Sequence, residues 1–397
     1  MKRGKTILSL LLVAFFLIVS SNLLSADETR GVSGDTIKIG MIMDQTGPAA
    51  EVGIPYAKGV TNYFRYVNDT GGINGRKIKV ILEDDRYTIP MAFAAFKKLV
   101  FKDKILAIMF CGGTGQNTAL FKQIQDNRVP VITGSWSWTM TDPLKRYIFS
   151  PGNDNKDEVG IIMEYIVKTL KAKNPRIAIV SPDVEYGKSG VRVAEAKAKE
   201  LKVELVGQEI LAPGAIDATS QMLSLKRREA THVITLTTLG ATLAVLKGAK
   251  SLDYAPMFFN SFHIFADEVT KIAGEAARNM YGVGAFASWF DDVEGVKDIK
   301  KVTLKYYPNM EPPNRYYVKA WISSIIAHEG IKRAGKNLTP DTFVNGLETV
   351  KGLDMKGLTG PISYSPTDHK GNSYARLYKA DIEKGYFIPV TDWVKAK

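Results

Sequence analysis

The sequence predicts an α/β protein made of two units of similar size, each built on a parallel sheet. Short apolar runs alternate with amphipathic helical segments along most of the chain. This alternation stalls once, over residues 149–158, and then starts again. The chain has 397 residues, of which 45% are hydrophobic and 24% charged, so it is long enough for two separate cores. Such alternation implies βαβ units with right-handed crossovers.

The first unit opens with an almost unbroken apolar run, residues 36–43, which is typical of a buried strand. The segment 53–69 places its apolar residues at helical spacing and predicts an amphipathic helix. The same two patterns then recur. Further strands of this unit are predicted at 75–85, 105–110 and 129–133, and further helices at 89–103 and 114–127.

The second unit repeats the order of strands and helices without repeating the sequence of the first. Its strands are predicted at 175–182, 202–211, 231–238 and 255–261, and its helices at 159–170, 187–201, 219–229 and 242–252. A third portion starts near residue 281 and contains predicted helices at 316–335 and 339–350. It closes with late strands and turns over residues 360–393.

The first 26 residues have the pattern of a secretory signal peptide. A basic start, "MKRGK", precedes the apolar run "TILSLLLVAFFLIVS", and small residues follow before Asp27. We expect cleavage after Ala26 and export of the mature chain. The alternative is an uncleaved membrane anchor, although the apolar run is shorter than the roughly 20 residues that a span needs.

Charge and composition argue against several classes of function. The net charge is +12, but the basic residues are scattered among acidic ones, so we do not expect nucleic-acid binding. The single cysteine, Cys111, follows an apolar run and predicts a packed thiol. No histidine lies in a recognisable motif, and the glycine-rich, nucleophile and zinc motifs of common enzymes are missing. We therefore expect no catalytic residue, no metal, no cofactor and no enzyme activity.

The loops that follow the predicted strands are the expected binding surface, because ligands of open parallel sheets bind at the carboxyl ends of the strands. Facing one another across a cleft, these loops would form a mostly apolar pocket with a few hydrogen-bonding groups. The candidate ligand-binding residues are Gly112, Gly113, Thr114, Ser135, Trp136 and Ser137 in the first unit, and Tyr186, Thr238, Ser261 and Phe262 in the second.

Two of these loops suit an anion. In "GGTGQNTAL", Thr114 begins a helix whose free N–H groups would point at a negative ligand. In "VITGSWSW", the hydroxyl groups of Ser135 and Ser137 would lie on one side of an extended chain, and Trp136 on the other side or over the ligand. The alternatives are a tight turn without a ligand for the first loop, and indole rings packed beneath the second.

Three segments resemble the leucine/isoleucine/valine-binding proteins of ABC transporters, which are type I periplasmic solute-binding proteins. The first segment is the most specific, because it combines "TGP" after the first strand with "GGINGRKIKVILEDD". The second, "RIAIVSPDVEYGKSG", resembles the opening of the family's second lobe. The third, "GLTGPISYSPTDHKGN", resembles a late segment of the family. The resemblance covers nearly all of the mature chain. It implies two Rossmann-like lobes, joined by three crossovers, that close on a ligand. It also implies a periplasmic location and an ABC permease in the inner membrane as partner.

The resemblance implies lobes at residues 34–150 plus 285–372 and at 151–284 plus 373–397. It also carries ligand contacts onto this sequence. In the family, the ligand carboxylate is held by groups after the third and the fourth strands. After the third strand this sequence has Gly112 or Gly113 at the matching position, with Thr114 as the substitute hydroxyl. After the fourth strand the matching residues are Ser135 and Ser137. A tyrosine of the second lobe matches Tyr186, and an aromatic residue expected near Thr238 is missing.

The sharpest departure from the family concerns the acid that pairs with an amino-acid ammonium. It should lie near Ser261, and no acidic residue occurs there before Asp267. A buried ammonium without a counter-ion costs several kcal/mol. We therefore expect a small organic acid without an amino group, aromatic carboxylates included.

Two alternatives to this ligand and role stay open. One is a branched-chain amino acid or an amide, held by a rearranged residue of the second lobe or by an acid from elsewhere, such as Asp44, Asp85 or Asp183. The other is a sensory receptor or an enzyme of α/β fold.

Overall fold

A computed structural model describes residues 29–261 and 267–396, so the predicted signal peptide and the candidate Phe262 lie outside the described residues. The described chain forms two sheets, each flanked by helices, which confirms the predicted α/β class. None of the helices in these two ranges combines the length and apolar character needed to cross a bilayer.

The first sheet consists of five parallel strands. In chain order its elements are β1 (Thr36–Met43), α1 (Ala50–Asp69), β2 (Lys77–Asp84), α2 (Ile89–Lys97), β3 (Ala107–Cys111), α3 (Thr114–Asp126), β4 (Val131–Ile132) and β5 (Ile148–Phe149). The strand order is β2-β1-β3-β4-β5, so β2 and β3 lie on either side of β1. The loops after β1 and β3 therefore meet at the point where ligands of doubly wound sheets bind.

The second sheet begins after a short crossing segment. Its elements are α4 (Asn155–Glu164), β6 (Arg176–Ser181), α5 (Glu185–Leu201), β7 (Glu204–Ile210), α6 (Thr219–Arg227), β8 (His232–Thr235), α7 (Leu239–Ser251), β9 (Met257–Asn260), α8 (Glu268–Ala273) and β10 (Met280–Gly284). These five strands are parallel and follow the same order as in the first sheet, β7-β6-β8-β9-β10.

The remaining part of the described chain contains three helices and three late strands. Its elements are α9 (Glu294–Tyr306), α10 (Arg315–Ala334), α11 (Pro340–Glu348), β11 (Tyr374–Asp381), β12 (Tyr386–Pro389) and β13 (Val394–Lys395). Helix α9 is not among the predicted helices. The late strands β11 and β12 extend the second sheet on an antiparallel edge, and β13 pairs with β11.

Helices α1 and α10 cross closely against the first sheet. A Cβ atom on Gly59 would lie 2.7 Å from the Cβ of Ala320 and 2.8 Å from the carbonyl oxygen of Tyr317, so only glycine allows this approach. The largest buried cluster includes residues of both helices and of the first sheet, and it continues into the second sheet. The other face of the second sheet has its own smaller cluster. The two sheets therefore share part of one core.

Three crossing segments, 150–154, 285–291 and 358–373, connect the two sheets and bond to one another; we call them the joint. The N–H of Ser150 donates to the carbonyl of His369 (2.9 Å), and the N–H of Gly371 donates back to Ser150 (2.9 Å). The hydroxyl of Thr359 donates to the carbonyl of Ala285 (2.9 Å). We propose that the joint separates two lobes, at 34–150 plus 285–372 and at 151–284 plus 373–397.

A buried ion pair crosses this joint. Arg315, at the start of α10, donates to the carbonyl of Phe286 (3.2 Å) and lies 3.8 Å from Asp267. Its guanidinium stands 4.4 Å over the ring of Tyr378. Asp267 also accepts hydrogen bonds from the hydroxyl of Ser288 and from a backbone N–H of the second sheet. Arg315 therefore links the first lobe to the second through groups that are shielded from water.

Replacing Arg315 with methionine should lower the free energy of unfolding by about 3–5 kcal/mol, because Asp267 would be left as a buried charge without its cation. Urea denaturation followed by circular dichroism measures the change. The matched control is Arg278→Met, which breaks an ion pair with Glu275 on the surface and should leave stability nearly unchanged. An equally small loss in both variants would contradict the structural role of Arg315.

Candidate ligand-binding site

A cleft opens between the carboxyl ends of the two parallel sheets. Its empty space, including the part open to solvent, is about 700 Å³. The walls are mostly apolar, with Val52 and Phe110 on the first lobe and Pro182, Pro213 and Leu236 on the second. Six of the candidate residues line it: Gly112, Gly113, Thr114, Ser135, Tyr186 and Thr238.

One side of the cleft combines the amino end of a helix with two hydroxyl groups. Helix α3 begins at Thr114 with its amino end in the cleft, and Gly113 precedes it in extended conformation. The hydroxyl groups of Thr114 and Ser135 lie 2.7 Å apart, which joins the two loops that the sequence singled out. The amide of Asn117 donates to the carbonyls of Cys111 (2.7 Å) and Gly113 (2.9 Å) and so fixes the turn. The amino end of α3, where the first N–H groups of a helix have no partner within the helix, thus lies beside two hydroxyl groups.

Trp136 does not line the cleft, which corrects the expectation of an indole over the ligand. Its ring is buried, lies 5.7 Å from the ring of Phe286 and has the ammonium of Lys319 3.2 Å from its centre. The indole N–H donates to Asn153 (3.3 Å). Because successive side chains of an extended chain point to opposite sides, Ser135 faces the cleft and Trp136 faces the joint.

Ser137 is also outside the cleft lining and instead touches the second lobe. Its hydroxyl lies 3.0 Å from that of Ser189 on α5. The side-chain amide of Asn155 donates to Ser189 (2.6 Å) and to the carbonyl of Tyr186 (3.2 Å), and its oxygen accepts from the N–H of Trp138 (3.1 Å). Residues 134–138 therefore connect a cleft wall of the first lobe to the second lobe.

Ser261 lies behind the cleft wall on the second lobe. Its hydroxyl is 2.7 Å from the phenol oxygen of Tyr186, which does line the cleft. Burial raises the pKa of Tyr186 well above its usual range, so this phenol is a neutral hydrogen-bonding group. Ser261 therefore orients Tyr186 and is itself buried. The neighbouring candidate, Phe262, is outside the described residues.

Three carboxylates line the cleft, all from the first lobe: Asp44, Glu51 and Asp85. Asp44 accepts hydrogen bonds from the N–H groups of Thr46 (3.1 Å), Gly47 (2.5 Å) and Ala49 (2.7 Å), so it caps its own loop. Two of the three are acids that the sequence analysis named as alternatives, and both follow strands at their carboxyl ends. The third, Glu51, carried no signal because it lies within a helix.

Burial raises the pKa of two of these carboxyls. Burial raises the pKa of Glu51, while nearby backbone N–H groups, including that of Leu239, act in the opposite direction. Burial raises the pKa of Asp85 to about 6, and the nearby carboxylates of Asp44 and Asp84 act in the same direction. Among the described residues of the lining there is no lysine or arginine to offset these charges.

Lys319 is a buried cation that the sequence analysis did not single out. It lies on α10, donates to the carbonyl of Gly134 (2.9 Å) and stands behind the loop that carries Ser135. Burial lowers the pKa of its ammonium well below the usual range, while the charge of Glu158 opposes that shift. A lysine within a helix gives no pattern that distinguishes it from a surface residue, so only its packing reveals it.

The described residues offer no group of three or more His, Cys, Asp or Glu side chains that could hold a metal ion. The thiol of Cys111 is buried, as predicted, and burial raises its pKa well above the usual range. A buried, protonated thiol is a packing group and a poor nucleophile. The chemistry of the cleft is therefore that of hydrogen bonding and apolar contact.

Comparisons with known proteins agree with this geometry. The periplasmic binding protein family matches residues 36–385. An amino acid binding protein of Pseudomonas aeruginosa is 25% identical over 307 residues, covering 76% of this chain and 79% of that protein. A Leu/Ile/Val-binding protein homolog of Brucella suis is 22% identical over 338 residues, covering 82% of this chain and 80% of that protein.

Solved structures show the same fold. A branched chain amino acid ABC transporter protein of Thermus thermophilus with bound valine has a TM-score of 0.85 at 23% identity, covering 92% of this chain and 98% of that one. A fatty acid ABC transporter substrate-binding protein of Thermomonospora curvata has a TM-score of 0.84 at 19% identity, covering 94% and 95%. The two-sheet fold, the cleft and the family match lead to one conclusion: this chain belongs to the periplasmic binding protein family.

Proposed function

We propose that this protein is the solute-binding component of an ABC importer, that it closes in the periplasm on a small organic acid, and that it delivers the acid to a membrane permease. The observation that carries the proposal is the anion-holding corner formed by Thr114, Ser135 and the amino end of α3 inside the cleft. A carboxylate placed there would accept charge-assisted hydrogen bonds, each contributing about 1.5–3 kcal/mol.

The apolar walls support a solute with a hydrocarbon or aromatic body. Phe110, Val52 and Leu236 supply carbon surface on both sides of the cleft, and Tyr186 offers a neutral phenol. Related folds serve both kinds of carboxylate, since one neighbour is named for a fatty acid and another holds valine. At the position where an ammonium partner is expected, the described chain has Asn260 and Ser261, and Asp267 is engaged with Arg315. These features favour an acid without an amino group.

The second candidate is an amino acid or an amide, and the carboxylates of the cleft favour it. Asp44 is saturated by backbone N–H groups, but Glu51 and Asp85 place negative charge near the anion-holding corner. An ammonium beside them would be stabilised by Coulomb attraction, which is strong where solvent is excluded. The two candidates therefore differ in one group of the solute, and binding measurements separate them.

Ser135→Ala should weaken binding of the preferred carboxylate about tenfold to a hundredfold, because one charge-assisted hydrogen bond is lost. A thermal-shift screen of amino acids against aliphatic and aromatic carboxylates identifies that ligand, and calorimetry measures the affinities. The control is Ser324→Ala, which removes a buried hydroxyl that donates within α10, away from the cleft. Tight binding of leucine or valine without a response to any desamino acid would contradict the ligand class.

Closure of the lobes should depend on the contact between Ser137 and Ser189. Small-angle scattering of the wild type should show a more compact particle at saturating ligand. In a double-mutant cycle, Ser137→Ala and Ser189→Ala should be coupled by about 0.5–3 kcal/mol in ligand binding, because one hydrogen bond joins them across the lobes. Additive effects of the two substitutions, or a scattering profile that ligand leaves unchanged, would contradict the clamp.

Export should remove the first 26 residues. Protein recovered from the periplasm should begin at or near Asp27 in N-terminal sequencing, because the basic start and apolar run have the pattern of a cleaved signal. The cytoplasmic fraction of the same cells serves as the control. Periplasmic protein that still begins at Met1, or protein found only in the cytoplasmic fraction, would contradict the prediction.

A further inference from the structure

One carboxylate oxygen in the cleft has no partner. Asp85 follows β2 and is fully buried. Its Oδ1 accepts a hydrogen bond from the N–H of Tyr87 (3.1 Å), whereas its Oδ2 has no hydrogen-bond partner among the described residues. Leaving a buried acceptor unsatisfied is costly, and more so when it is charged. The cleft therefore contains an acceptor that a bound molecule with a donor group would satisfy.

A second carboxylate of the lining, Asp44, is already engaged, because it accepts from three backbone N–H groups. Asp85 instead packs against the backbone of Gly112, which lines the same cleft. Gly112 has a φ of +71°, and a Cβ atom there would lie 2.6 Å from Oδ2 of Asp85, so a larger residue would press on the carboxylate. Only glycine at position 112 leaves this oxygen its place at the edge of the cleft.

The distance to the anion-holding corner limits the solute. The carboxylate of Asp85 packs against Gly112. The anion-holding corner begins at Thr114, which is two residues after Gly112 in the chain. Two residues span at most about 7 Å. A molecule whose carboxylate sits at Thr114 and Ser135 therefore reaches Asp85 with a group attached a few bonds away. A hydroxyl group fits best, because it needs one acceptor, whereas an ammonium brings three donors.

We propose that Asp85 is a specificity-determining residue, which accepts a hydrogen bond from a hydroxyl group on one of the first carbons of the bound carboxylate. The solute is then a hydroxy acid with an apolar or aromatic body. This inference rests on the proposed function and deepens it, since it names a second polar group of the same ligand.

The experiment compares matched sets of acids on the wild-type protein by calorimetry. One set is 3-phenyllactate, 3-phenylpropionate and phenylalanine; the other is 2-hydroxyisocaproate, isocaproate and leucine. We expect the hydroxy acid of a set to bind about tenfold to a hundredfold more tightly than the unsubstituted acid. Asp85→Asn should reduce this preference, because the solute hydroxyl would then accept from a neutral N–H₂ group instead of donating to the charged Oδ2, while the amide oxygen still accepts from Tyr87.

The matched control is Asp84→Asn. Asp84 is the neighbouring carboxylate and accepts hydrogen bonds from Gln45, Thr46 and Arg86 outside the cleft lining, so the preference should persist. Equal affinity for hydroxy and unsubstituted acids in the wild type would overturn the role of Asp85 and leave the proposed function standing. Binding of the amino acids alone would overturn the hydroxyl assignment together with the desamino ligand class. If Asp85→Asn does not fold, the wild-type comparison decides.

Discussion

The extended backbone of residues 134–138 is the constraint on which both the cleft and the joint depend. Its alternation sends Ser135 to the cleft and Trp136 to the joint, and Ser137 then meets Ser189 of the second lobe. The chain has little freedom to adopt another path, because a Cβ atom on Gly134 would lie 2.0 Å from the ring of Phe110. A shift of one residue would exchange the serine and the indole between the two surfaces. A single short segment therefore supplies part of the cleft lining and a contact with the second lobe.

Several buried charged groups near the cleft and the joint have well-defined partners. Lys319 is covered by the indole of Trp136 and donates to Gly134 from behind the loop. Asp44 is enclosed by backbone N–H groups, and Arg315 and Asp267 meet across the joint. Charges buried in this way cost free energy unless their partners are well placed. Of these groups, Arg315 and Asp267 connect the two sheets across the joint.

The fold and the ligand are specified by different parts of the molecule. The valine-bound protein has a TM-score of 0.85, and the protein named for a fatty acid has a TM-score of 0.84. The two-sheet framework therefore accommodates unlike solutes. In this chain, the cleft between the sheets is lined by side chains that follow the strands, among them Thr114, Ser135, Asp85 and Tyr186. Function in such folds resides in the site and not in the framework.

The sequence alone determined the alternation of strands and helices, the family and the loops that meet in the cleft, because periodic burial and strand-end loops are local properties. It also singled out the loops that carry Thr114 and Ser135, whose hydroxyl groups the structure brings to within 2.7 Å of each other. Tertiary structure alone decided that Trp136 belongs to the joint, that Ser137 contacts Ser189, and that Lys319 lies buried behind the loop. These outcomes depend on which distant segment packs against each side chain. Residue type and spacing along one chain do not encode that choice, since the packed partners are separated by 52 residues for Ser137 and by 185 for Lys319.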